Sequence, residues 1–182
     1  MGVSYISGRK YAVNAGPGAP GAYDVSAFIK GDLVRARELH EKSAAMWRSQ
    51  NDRAVLGVEL CNLGFVLIPS GELERSRALL IESLSLVLEL MSDLADWPLL
   101  SLGVLAHVQG QPVRAVRLLG AADAVRRPSG RGITACERRE YDRALSSLRA
   151  QLGEAAFAAV WREGQALTLE QAAALAVEEV TP

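Results

Sequence analysis

Gly31-Asp32-Leu33-Val34-Arg35-Ala36-Arg37-Glu38-Leu39, Gly71-Glu72-Leu73-Glu74-Arg75-Ser76-Arg77-Ala78-Leu79 and Gly110-Gln111-Pro112-Val113-Arg114-Ala115-Val116-Arg117-Leu118 are variants of one phrase. The first two glycines are 40 positions apart (31 to 71) and the next two 39 (71 to 110). A period in this range marks stacked supersecondary units. Upstream of the second and third glycines the match continues, with Cys61-Asn62-Leu63-Gly64 opposite Leu100-Ser101-Leu102-Gly103. Each unit therefore reads as helix, glycine turn, helix. Gly64, Ser76 and Ser83 in one unit, and Gly103, Ala115 and Ala122 in the next, place small side chains where two antiparallel helices cross closely. Leu80 and Leu119 are expected to fill the space between successive pairs, with His40 in the corresponding place of the first unit. Pro112 falls in the first turn of its helix, where a missing N–H needs no partner.

In Leu63-Gly64, Leu102-Gly103 and Gly71-Glu72-Leu73 with Ser76, the sequence resembles the tetratricopeptide repeat, in a longer form of about 40 residues per unit. The resemblance implies an all-α, antiparallel helix-pair solenoid over residues 22–127. In the first unit Asp24 stands where Gly64 and Gly103 stand. With the upstream neighbour missing, Leu33, Leu39 and the Ala36 face are expected to be partly exposed, and self-association through the 23–50 face follows.

The last third differs. Residues 126–132 read as a loop, and Thr134 with Glu137 has the form of a capping box that starts a helix running to about Leu152. Gly153 should break it, a short helix from Glu154 to Arg162 should follow, and Gly164 should break again. Thr168 with Gln171 repeats the capping box before a final helix through Ala172 and Val177. Residues 128–182 thus form a helical cap. Leu118-Leu119-Gly120-Ala121-Ala122, Tyr141-Asp142-Arg143-Ala144 with Leu152-Gly153, Phe157 with Trp161-Arg162-Glu163-Gly164, and Leu167-Thr168-Leu169-Glu170-Gln171-Ala172 resemble the C-terminal end of large actinobacterial-type transcriptional regulators. In that family an NTPase module precedes the repeats and a LuxR-type DNA-binding domain often accompanies them. The resemblance implies a regulatory, protein-binding role. It does not extend ATP hydrolysis to this chain, which shows no Gly-Lys-Ser/Thr loop.

Composition supports a helical core. Hydrophobic residues make up 49% of the 182 but aromatics only 5%, so the interior must be built from Ala, Leu and Val. With 20 Lys and Arg against 21 Asp and Glu, no global field favours phosphate or anionic lipid. The apolar stretch Leu79 to Leu94 is interrupted by Glu82, Glu89 and Asp93 and is shorter than the ~20 residues of a membrane span. Met1 to Lys10 lacks a basic segment followed by an apolar core, so no secretory signal is read and cytoplasmic residence is expected. Residues 1–21, ending in Gly16-Pro17-Gly18-Ala19-Pro20-Gly21, read as a disordered lead-in.

Catalytic and metal chemistry finds little support. Cys61 and Cys136 form no paired motif, and His40 and His107 have no ligands at converging spacing. Ser83, Ser85 and Ser101 have no base in view. Arg126, Arg127, Arg131, Arg138, Arg139 and Arg143 form one basic concentration, but Glu137, Glu140 and Asp142 lie among them, which favours solvation and helix capping over direct nucleic-acid contact. No cofactor is expected.

The remaining candidate is the face of the first helices, which lines the concave side of a tetratricopeptide array. It takes Val58, Cys61, Asn62, Phe65 and Ile68 from one unit and Trp97, Leu100, Val104 and His107 from the next. A clamp for peptide carboxylates needs Lys and Arg here, and only Asn62 is present. An apolar groove for a protein or peptide helix is therefore the expected site. Two readings stand beside it: a small effector held in the same groove, or Trp97 and Phe65 packing against the chain's own terminal helices.

Overall fold

A computed structural model describes residues 27–28 and 30–178, with the backbone alone at 5–6, 9–10 and 135–136. Tyr5–Ile6 pairs antiparallel with Arg9–Lys10, and the expected lead-in and Asp24 otherwise lie outside the described residues. The rest of the described chain is helical. Eight α-helices follow one another: α1 (Leu33–Ser49), α2 (Arg53–Leu67), α3 (Leu73–Leu90), α4 (Asp96–Val108), α5 (Pro112–Arg126), α6 (Ala135–Leu152), α7 (Glu154–Gln165) and α8 (Leu169–Val177). The most extensive contacts join α2 to α3 and α4 to α5, and α5 continues onto α7.

The glycine phrase folds into the same turn three times. Gly31 N–H donates to Phe28 O at 2.9 Å and Asp32 N–H to Ala27 O at 2.9 Å. Gly71 and Glu72 repeat this onto Ile68 O (3.1 Å) and Leu67 O (3.2 Å), and Gly110 and Gln111 onto His107 O (3.0 Å) and Ala106 O (2.9 Å). This is the Schellman closure of a helix, which needs a left-handed residue at its pivot. The glycines supply it with φ of 81°, 79° and 73°.

Within each pair a glycine admits a leucine. A Cβ on Gly64 would meet Leu80 Cγ at 2.7 Å, and one on Gly103 would meet Leu119 Cδ2 at 2.8 Å. Leu80 and Leu119 are thus seated inside a pair, not between successive pairs as the repeat alone suggested. Ser76 Oγ donates to Gly64 O and Ser83 Oγ to Gly57 O, both at 2.7 Å, so each buried hydroxyl is satisfied by the facing helix.

Three expectations need correction. Ala36 is fully buried, so the first unit does not expose that face; Ala27 and Phe28 are buried just upstream, and the Phe28 ring lies 5.8 Å from that of Phe65. Leu33 and Leu39 are half-buried, in line with the partial exposure expected of them, and Val34 is exposed. Gly164 does not break a helix, because α7 runs through it to Gln165. Its missing Cβ is required by contact instead: α7 crosses α5 so closely that a Cβ there would strike Arg117 O, and one on Gly120 would meet Trp161 O at 2.5 Å. The 126–132 segment is partly ordered as the final turn of α5 and a 3-10 turn at Arg127–Ser129. Both capping boxes form as read, Thr134 with Glu137 and Thr168 with Gln171.

Candidate interaction face

The nine residues of the expected groove lie on α2, at its C-terminal boundary and on α4, but the structure does not leave them equally available. Val58, Cys61, Phe65, Ile68, Leu100 and Val104 are buried. Asn62, Trp97 and His107 are half-buried. Interior packing of the first six follows from their chemistry: apolar side chains on facing helices join one continuous core with α3, α5 and the cap. A groove lined by all nine is therefore not present, and three of the side chains remain partly exposed.

Polar groups beneath this face are structural. Cys61 Sγ lies 3.6 Å from Ser101 Oγ, and burial pushes its thiol pKa up to about 12. A thiol so held carries almost no thiolate and is a poor nucleophile. Burial lowers the His107 pKa, and its Nδ1 has no protein partner, so the neutral ring is favoured.

Two buried polar pairs escaped the sequence reading. His40 Nδ1 lies 2.6 Å from Glu59 Oε1, joining α1 to α2 in the interior. Asp96, at the start of α4 and almost fully buried, accepts from Arg131 Nη2 at 2.7 Å. Burial raises the Asp96 carboxyl and the Arg131 guanidinium opposes that rise. The sequence carried a weak signal for the second pair only, an acid opening a helix and an arginine between Gly130 and Gly132 in the loop.

The six arginines of the basic concentration each face a carboxylate. Arg126 and Arg127 pair with Asp123, Arg131 with Asp96, Arg138 with Asp142, and Arg139 and Arg143 with Glu140. The α7 cap is tied to α5 by Arg117 on Glu163 and by Gln165 Nε2 on Asp123 Oδ2. Among the described residues no group of three or more His, Cys, Asp and Glu could hold a metal ion, and no helix is long and apolar enough to cross a membrane. No protein-family model, curated protein or solved structure matches the chain.

Proposed function

We propose that the chain is a protein-interaction module built as an array of tetratricopeptide-like helix pairs, related to the C-terminal end of large bacterial regulators and working in the cytoplasm by binding, not catalysis. The observation that carries this reading is the threefold glycine turn, in which Gly71 after α2, Gly110 after α4 and Gly31 before α1 make the same two backbone hydrogen bonds. Matching turns at a spacing of 40 and 39 residues repeat one helix-pair geometry, and stacked pairs of that kind present an extended surface suited to a partner segment. Asn62, Trp97 and His107 offer an amide, an indole and an imidazole on that surface. Trp97 gives the largest contact area, and aromatic anchors of this type dominate protein interfaces. A helical segment with apolar side chains is the partner this face suits best.

Photo-crosslinking tests the reading with the full chain in its native cell. A benzophenone amino acid at position 97 or 62 is expected to yield a discrete protein adduct, and the same group at Lys42 on α1 is not. Equal adducts at all three positions, or none at 97 and 62, would overturn it.

A further inference from the structure

A second surface of the molecule is already occupied by a helix of the chain itself. The short α8 packs against α3, α4 and α5. Its only fully buried residues are Ala172 and Ala176, one turn apart on one face. Two arginines hold its end. Arg77, in the first turns of α3, donates from Nη2 to Val177 O at 2.9 Å and to Glu178 O at 3.2 Å. Arg114, near the start of α5, donates from Nη2 to Ala176 O at 3.2 Å and to Glu178 O at 2.7 Å.

This arrangement is matched to one kind of object. The last carbonyls of a helix have no donors of their own and carry the negative end of the helix dipole. Arg77 and Arg114 converge on those oxygens from two successive units, and among the described residues neither lies within ion-pair distance of a carboxylate. Desolvation lowers the Arg114 pKa, the nearby Arg77 charge adds to that and the Glu178 charge opposes it, so two like charges are held together by what the helix end supplies, its carbonyls and the Glu178 carboxylate. Small side chains at Ala172 and Ala176 let the helix axis come close. The docked helix owes its order to this surface: nine residues cannot sustain a helix alone, since isolated helices below about 12 to 15 residues are marginal. A longer, preformed helix with the same features loses less conformational freedom on docking and can displace α8.

We propose that the surface formed by α3, α4 and α5 is a helix-docking site that recognises a partner helix by alanine-sized residues at i and i+4 and by arginine capture of its terminal carbonyls, with α8 as its built-in occupant. This proposal rests on α8 and its seat and does not depend on the Trp97 assignment. Release of α8 is then the event that opens the site.

The test uses the full chain and a fluorescently labelled peptide spanning Thr168 to Glu178 as the probe. Wild-type protein is expected to bind it weakly, because a tethered competitor acts at an effective concentration of about millimolar. Ala176→Glu forces a carboxylate into the buried seat, expels the tethered helix and leaves the site intact, so peptide affinity should rise by about tenfold or more. In the same background, Arg77→Ala with Arg114→Ala should abolish binding while far-UV helicity is unchanged. An Ala176→Glu chain that stays folded without gaining affinity overturns the proposal. So does one that loses more helix than α8 contains, since α8 would then be an integral part of the core.

Discussion

Gly64 lies so close to Leu80 that a Cβ on the glycine would stand 2.7 Å from the leucine Cγ, and Gly103 repeats the relationship with Leu119. Both leucines are fully buried, so neither can swing away to make room. Gly103→Leu should therefore destabilise the chain by roughly 1 to 3 kcal/mol through overpacking. An unchanged urea midpoint would show that the α4–α5 crossing is looser than described.

The cap docks through a second close approach. Gly164 on α7 faces the Arg117 backbone carbonyl, a group that cannot rotate out of the way. Gly164→Ala removes a helix-weakening glycine worth up to about 1 kcal/mol and still should lower stability, because α7 must lift off α5. A stabilised variant would mean that the crossing has room for a methyl group.

His40 and Glu59 test the interior of the first unit. His40 occupies the place that leucine takes at positions 80 and 119, and its contact with Glu59 depends on the pair being complete. His40→Leu alone leaves the buried Glu59 side chain without this hydrogen-bond partner and should cost about 1 to 3 kcal/mol, whereas His40→Leu with Glu59→Leu should recover most of that loss. A double-mutant cycle with no coupling energy would show the two side chains acting independently.

These pairs mark where the sequence stopped being informative. The turns at Gly31, Gly71 and Gly110 were legible because a left-handed pivot is a local demand on one residue. The two capping boxes were legible for the same reason, since Thr134 and Thr168 each bond within their own first turn. Gly164 misled because the same residue type marks either a helix end or a tight crossing, and only the position of Arg117 decides between them. The groove was legible only in part. Repeat alignment identifies which side of α2 carries Phe65 and Ile68 but says nothing of what lies against that side, and burial is a property of the neighbour as much as of the residue. His40 and Glu59 had no signal at all, because their meeting depends on how α1 rolls against α2.

Acid titration probes the junction of α4 and α6. Burial raises the Glu137 carboxyl above its ordinary 4.5, and Asp96 adds to that rise. The folded chain then binds this proton more tightly than the unfolded chain does, so the contribution of this carboxyl to stability is greatest while it is protonated. It falls as pH climbs from about 4.5 through the raised value. Glu137→Gln keeps the capping box and removes the titration. Urea midpoints measured across that window should decline less steeply in the variant, with the remaining slope from Asp96, whose carboxyl is shifted in the same direction. Parallel curves for the two proteins would show that Glu137 ionises freely in the folded state.

Trp97 decides the proposed function. It is half-buried at the start of α4, where its indole both touches the core and reaches the surface. Removing a fully buried Trp costs about 3 to 5 kcal/mol, and a half-buried one should cost clearly less. If the exposed half of the ring is the anchor for a partner helix, Trp97→Ala will leave the far-UV signal intact and shift the melting midpoint only slightly. It will also remove the crosslinked partner from co-purification, because an aromatic anchor supplies a disproportionate share of interface energy. Leu100→Ala is the matching control: Leu100 is buried, so its truncation should lower stability by about 2 to 5 kcal/mol and leave partner affinity unchanged in the folded fraction. The opposite pattern, a large stability loss for Trp97→Ala with affinity retained, would place the indole in the core and move the partner to another face of the molecule.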